Sequence, residues 1–365
     1  MPYPRNLTSP TYEYNEATQS WKPKTHYPIG DLKPERTDSW EVGLDMKLFK
    51  DFNLGLSWYL ANTFNQTFDP QISVSSGYTT IYLQTGYVRN TGLELSLGYG
   101  HTWNNNFRWD SNFTLSHNKN KIKELVRDYV HPETGELINK DRLDVGGLGK
   151  ARFILKEGGT LGDLYTQSDL KRDDNGMVDI DPTGIVAIEN NLPDIKLGSV
   201  FPKANLAWSN HFSWKGISLS ALFTARIGGI VYSATEAAMD QYGVSERSAL
   251  ARDNGGVLVN NRTLVDAQNY YTTIGSESGL PQYYTYNATN VRLQEASIGY
   301  LIPRKWLGNV CDIQVSVIGR NLWMIYNKAP FDPESVATTD NYYQGIDYFM
   351  LPSTRNIGFN VKINF

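Results

Sequence analysis

The chain has no run of about 18 apolar residues, so no transmembrane helix can be drawn in it. A single cysteine, Cys311, excludes an internal disulfide; set in an apolar strand pattern, it reads as a small buried hydrophobe. Basic character is also missing. Lys and Arg number 34 against 38 Asp and Glu, a net charge of −4, and no stripe of cations marks a nucleic-acid surface. His26, His101, His117, His131 and His211 are scattered and form no HExxH-type zinc pair. Gly228-Gly229 and Gly255-Gly256 lack the strand-to-helix setting of a phosphate loop and read as bent backbone. Met1-Pro2-Tyr3-Pro4-Arg5 has no charged start followed by an apolar core, so it is no secretory signal. An export signal, if there is one, lies outside this sequence or has been removed.

What the chain does have is alternation, most clearly in its last eleven residues. Ile357, Phe359, Val361, Ile363 and Phe365 are apolar, and Asn356, Gly358, Asn360, Lys362 and Asn364 between them are polar or small. Successive side chains of a strand point to opposite faces, so this segment has one apolar and one wet face. The pattern recurs. Trp40, Val42, Leu44, Met46 and Leu48 alternate with Glu41, Gly43, Asp45 and Lys47, and Leu93, Leu95, Leu97 and Tyr99 with Glu94, Ser96 and Gly98. Leu222 interrupts one such segment. Charges keep to one face, which in a membrane barrel lines the lumen.

Alternation alone also fits a soluble sandwich. Connection lengths separate the two. Nine strands are expected near 39–49, 53–62, 91–101, 107–118, 202–210, 216–226, 290–302, 311–323 and 355–365. Short connections (50–52, 102–106, 211–215, 303–310) alternate strictly with long ones (63–90, 119–201, 227–289, 324–354), as in outer-membrane barrels with tight periplasmic turns and long surface loops. Aromatics make up 13% of the chain, with 23 Tyr and 9 Trp. Phe49, Phe52, Trp103, Phe107, Phe212, Trp214 and Trp306 gather at the short turns, where an interfacial girdle belongs. The fold class is therefore all-β, a transmembrane antiparallel β-barrel with long extracellular loops. An odd count is unusual for such barrels. Either a tenth strand lies near 12–21 or 79–88, or these strands are part of a larger wall.

Several segments carry a resemblance. Leu32-Lys33-Pro34-Glu35-Arg36-Thr37 precedes Trp40-Glu41-Val42-Gly43-Leu44-Asp45. Val88-Arg89-Asn90-Thr91-Gly92-Leu93-Glu94-Leu95 fits an RNxGxE strand start. Leu293-Gln294-Glu295-Ala296-Ser297-Ile298-Gly299-Tyr300 leads to Ile302-Pro303. Gly319-Arg320-Asn321-Leu322-Trp323 and Phe331-Asp332-Pro333-Glu334 fit a GRNL…DPE signature, and Leu351-Pro352-Ser353-Thr354-Arg355 opens the last strand. In order and spacing, over residues 30–365, these resemble the C-terminal barrel region of SusC/RagA-type TonB-dependent outer-membrane transporters. The resemblance implies a 22-stranded barrel, of which this chain supplies nine or ten strands (38–365), with 1–37 a surface loop or strand remnant. It implies a plug, contacted by TonB, and a first set of strands that this sequence does not contain and that belong to another chain or an upstream segment. It implies a SusD-like surface lipoprotein as lid, membrane lipid around the wall, and a Gram-negative outer membrane. Phe365 resembles the terminal aromatic read by the barrel-assembly machinery.

The function that follows is a TonB-dependent importer of oligosaccharides or oligopeptides, not an enzyme. Two other classes stay open on the residues: a soluble β-sandwich or propeller module that binds carbohydrate, and an outer-membrane barrel enzyme, for which no nucleophile–base set is visible. Asp173-Asp174-Asn175-Gly176-Met177-Val178-Asp179-Ile180-Asp181 invites a structural-calcium reading, but Lys171 and Pro182 stand where ligands are needed, and a polar Asn-Gly turn accounts for it better. Tyrosines crowd the long loops. Tyr283, Tyr284, Tyr286, Tyr342 and Tyr343 are the candidate contacts to ligand or lid, since Tyr offers area and a hydroxyl at small entropic cost; packing of the loops among themselves is an equal alternative.

Overall fold

A computed structural model describes residues 34–68, 70, 83–104, 106–130, 135, 137–338 and 343–365, together with backbone pairing at 12–15, 20–23, 26–27 and 80–81. Among them, nine long strands form one sheet: β1 (Arg36–Leu48), β2 (Phe52–Phe68), β3 (Leu83–Thr102), β4 (Arg108–Glu124), β5 (Ala204–Trp214), β6 (Ile217–Ile227), β7 (Asn290–Ile302), β8 (Asp312–Asn327) and β9 (Asn356–Asn364). Each pairs antiparallel with its neighbours in sequence, an up-and-down meander in which β1 and β9 are the edges. All nine expected strands are present. Among the described residues neither suggested segment adds a tenth strand to the wall. Tyr12–Asn15 pairs with Ser20–Pro23, and residues 83–88 belong to β3.

The register turns alternation into two surfaces. One row runs Leu44, Leu56, Leu95, Leu115, Leu206 and Ala225 across β1 to β6. Another runs Leu219, Ile298, Val317 and Phe359 across β6 to β9. These side chains share one face and are widely exposed, Ile298 at 58% and Phe359 at 81%. A water-soluble protein rarely leaves so large an apolar patch uncovered; in a membrane the same face is solvated by acyl chains. The other face holds rows such as Gly43, Ser57, Glu94, Ser116, Asn205 and Arg226. Leu222, the break in the pattern, lies on this second face opposite Ser209 and next to a bulge.

At one end the turns are tight. Lys215 and Gly216 both take positive φ, 48° and 88°, and close a two-residue hairpin between Trp214 and Ile217. Residues 304–307 form a short 3-10 helix ending on Gly308 at φ 64°. Cys311 sits at that end half-buried, more open than the sequence pattern implies. The girdle is continuous here. Ring centroids of Phe52 and Tyr99 are 4.8 Å apart, Tyr99 and Trp109 5.1 Å, and Trp109 and Phe212 5.9 Å.

At the opposite end the chain builds a folded cap. β2 and β3 extend well past the expected ends at 62 and 91, so residues 63–68 and 83–90 of the segment expected as a 63–90 loop are strand. The 125–203 connection contains a four-stranded sheet of Arg142–Leu148, Ala151–Lys156, Asp163–Thr166 and Ile195–Ser199. Three short helices follow: α1 (Ala234–Gln241), α2 (Glu246–Asp253) and α3 (Ala267–Gly275). Ser233, Ser245 and Asp266 cap them, each accepting a backbone N–H from the first turn. Ile230–Ser233 pairs with both Thr285–Asn287 and Ile346–Asp347, which ties two of the long connections together. Phe153, Leu155 and Leu164 are fully buried in the cap with Val88 and Ile122 from the tops of β3 and β4. The main hydrophobic core thus lies in the cap and not in the wall.

Candidate functional site

Two regions carry polar chemistry: the inward face of the wall and the cap above it. On the inward face Glu41, Asp45, Ser57, Glu94, Ser96 and Asn205 line a trough of about 570 Å³. Tyr59 lies over Gly92, where a Cβ would meet its ring at 2.2 Å, so any larger residue there would push the ring aside. Further along the same face charges are paired. Arg108 donates to both oxygens of Asp110 at 2.6 Å, and Arg320 to Glu295 at 2.8 Å. The second pair unites two of the quoted motifs, since Glu295 and Arg320 sit opposite one another on β7 and β8. Asn321 follows with φ 52°, making the irregularity that lets its amide reach the Thr354 carbonyl.

The cap is held by buried charge. Asp240, with a fully buried side chain, receives Arg247 at 2.7 Å, the Ser245 hydroxyl and the Tyr284 hydroxyl at 2.9 Å. Burial first, then the Asp240 charge, pushes the Tyr284 phenol far above its ordinary range. Burial likewise pushes Tyr232 and Tyr270 up to about 12. These phenols stay protonated at any working pH and act only as neutral hydrogen-bonding groups. Asp194 receives both Arg142 and Lys156, at 2.7 and 2.9 Å, and Arg142 above all holds its carboxyl far below the usual range.

The tyrosine candidates divide. Tyr284 is 1% exposed and packs the cap core, so it offers no surface to a ligand or a lid. Tyr283 is half-buried against that core, and Tyr286 stacks edge-on against Phe331 at 5.8 Å. Tyr343 is 40% exposed, with its ring 6.1 Å from Phe153. Tyr342 lies outside the described residues. Phe365 follows β9 at the tight-turn end and is 87% exposed. Tyr284→Phe should therefore cost about 1–3 kcal/mol by leaving Asp240 short of a donor, read as a lower midpoint for cap unfolding. Tyr343→Ala should leave that midpoint nearly unchanged. Equal, small effects from both would remove the distinction.

The remaining candidates stay local. Asp173 accepts the backbone N–H groups of Asn175 and Met177, Asp181 those of Thr183 and Ile185, and Asp179 pairs with Lys171 at 2.8 Å. These carboxylates are engaged by their own turns. Among the described residues no group of three or more His, Cys, Asp or Glu converges as metal ligands. Arg292 was not singled out from the sequence. Its side chain is 5% exposed, yet it joins Asp332 and Glu334 of the DPE segment at 2.8 and 3.3 Å. An arginine in an otherwise apolar-alternating strand, with DPE shortly after the next strand, was the available signal.

The model of the family described as TonB dependent receptor-like, beta-barrel, matches residues 5–288. The chain is similar to TonB-dependent receptor P3 of Formosa agariphila, 25% identical over 372 residues, covering 93% of this chain and 35% of that protein. It is also similar to TonB-dependent receptor P26 of the same organism, 24% identical over 362 residues, with coverage of 92% and 35%. The chain thus spans about a third of the length of these curated relatives. Its fold is similar to that of the RagAB peptide transporter, with a TM-score of 0.69 at 18% identity over 97% of this chain and 38% of that one. The RagAB peptide importer in its closed-closed state gives 0.66 at 19% identity, with coverage of 97% and 38%.

Proposed function

The chain belongs to the TonB dependent receptor-like β-barrel family, and from that premise we propose that its nine strands form part of the wall of a TonB-dependent importer in the outer membrane of a Gram-negative bacterium. The cargo is an oligopeptide or oligosaccharide. RagAB is a peptide importer by its description, which makes oligopeptides the first class to test. A SusD-like surface lipoprotein closes the mouth from outside, and TonB acts through a plug held in the lumen. One observation supports this most: along the middle of the wall one face is predominantly apolar and the other predominantly polar, while the long folded connections rise at the end opposite the tight turns. The inward trough with Glu41, Asp45 and Glu94 is wet, as a solute path requires. The half-buried Tyr283 and Tyr286 and the exposed Tyr343 are candidate contacts to cargo or lid. Phe365, at the tight-turn end, is the candidate assembly signal.

The test is uptake. Cells with the full-length gene deleted should fail to accumulate fluorescent oligopeptides or oligosaccharides of a size excluded from porins. Complementation should restore uptake, and a protonophore should abolish it. Uptake that is unaffected by deletion for both classes, or that persists without the proton-motive force, rules the reading out.

A further inference from the structure

The outward face of β4 changes character along its length. Trp109, Phe113 and Leu115 are apolar; His117, Lys119 and Lys121 follow on the same face. With strands rising about 3.3 Å per residue and tilted about 40°, Lys119 stands about 25 Å above Trp109, which is the height of the apolar band of an outer-membrane barrel. The ammonium group is therefore level with the lipid headgroups. On β3, Thr91 pairs with Lys119 and Arg89 with Lys121, which places the Arg89 guanidinium beside this row. Arg89 is held there by donating to Asn62 Oδ1 at 2.8 Å and the Tyr87 hydroxyl at 2.6 Å. Lys119 and Lys123 are exposed and Lys121 is half-buried. No hydrogen bond or ion pair engages the three lysines among the described residues.

Exposed lysines usually mean only a solvated rim. Here the rim is not uniformly charged. About 25 Å above the tight turns, the outward positions on β5, β6 and β8 are Ala204, Ile227 and Trp323. Asp38, outward on β1, is already taken by Arg36 at 3.0 Å. Among the strands compared, the unpaired outward cations at this height thus fall on β4, with Arg89 of β3 beside them, directly above the apolar surface of Leu93 and Leu115.

We propose that this rim is a binding site for a phosphorylated glycolipid of the outer leaflet, with Lys119, Lys121 and Arg89 on its phosphates and its acyl chains along the apolar face below. The inference rests on the reading of the wall as an outer-membrane barrel. Anionic groups and an apolar tail on one molecule match a cation row set on an apolar band. A free phosphate matches only the first.

The experiment uses the full-length transporter in phosphatidylcholine nanodiscs doped with bisphosphorylated lipid A or its dephosphorylated form, with bound lipid read by native mass spectrometry. The wild type should retain the phosphorylated lipid over the dephosphorylated one. Lys119→Gln/Lys121→Gln/Arg89→Gln should lose at least about tenfold in retention, at roughly fivefold per surface cation, and Lys119→Arg/Lys121→Arg should keep it. Millimolar inorganic phosphate should not displace the lipid. Unchanged retention by the triple-Gln variant, equal retention of the dephosphorylated lipid, or displacement by phosphate overturns the inference. Lipid-phase photolabelling of Ile298 and Val317 in the same discs separates the two failures. Labelled protein without selective retention sinks only the lipid site, whereas unlabelled protein sinks the barrel reading and the site with it.

Discussion

Leu97→Arg is expected to destabilise the folded protein in a lipid bilayer by about 2–4 kcal/mol, and Ser96→Arg by no more than about 0.5 kcal/mol. The two positions are adjacent on β3 and differ only in the face they occupy. Leu97 is 44% exposed and sits in a row with Leu54 and Phe113; Ser96 sits with Gly55 and Thr114 on the polar face. In a water-soluble sheet a residue this exposed would accept arginine at little cost, so the expected order would vanish or reverse. In a barrel wall Leu97 lies well inside the apolar band, where a guanidinium has neither water nor a counter-ion. Urea titration of the full-length protein in vesicles, followed by the heat-modifiable shift of folded barrels on gels, measures both variants. Equal costs would mean that the outward face is not in hydrocarbon.

The wall was legible because the membrane imposes a two-residue period on every strand that crosses it. Strand number, order of loops and the girdle all followed from that period. Legibility stopped where the membrane does. Residues 63–68 and 83–90 continue β2 and β3, but above the band the outward positions become Asn62, Arg89 and Tyr87, and the apolar rhythm fades. A change of hand at Asn65, φ 56°, disrupts the register as well. The helices of the cap are only 8 or 9 residues long and show weak periodicity, although Ser233 with Glu236 three residues on is a readable start signal. The tyrosines were visible as an excess, but their roles were not. Tyr284 and Tyr343 have the same composition-level signature, and only the fold decides that one meets Asp240 in the core while the other faces out. Buried ion pairs were hidden for the same reason, since partners such as Arg142 and Asp194, or Arg292 and Asp332, are far apart in sequence and are brought together only by the fold.

The Arg292 pair is the case in which that hidden contact has the greatest consequence. Arg292 donates to both oxygens of Asp332 at 3.0 and 2.8 Å and reaches the Asn290 side chain as well. Asp332 is 9% exposed, so Arg292→Ala strands a buried carboxylate and should cost about 3–5 kcal/mol locally. The loss falls on the 328–355 connection, which the pair pins to the top of β7. Burial alone would raise the Asp332 carboxyl, but the Arg292 hydrogen bond, the Glu334 N–H and a Ser353 hydrogen bond outweigh it and leave it below its ordinary value. A depressed carboxylate stabilises the fold above its unfolded pKa, about 3.9, and that contribution disappears as pH falls through the lower folded value. Protease resistance of 328–355 should accordingly be flat from neutral pH down to about 4 and should fall below it. In Arg292→Ala the connection should be cleaved at neutral pH, and the acid step should be gone. Arg292→Met/Asp332→Leu should recover much of the resistance, because removing both charges leaves no stranded group. If the double variant is as labile as the single one, the pair is not what holds this connection down, and the DPE segment must act through its backbone instead.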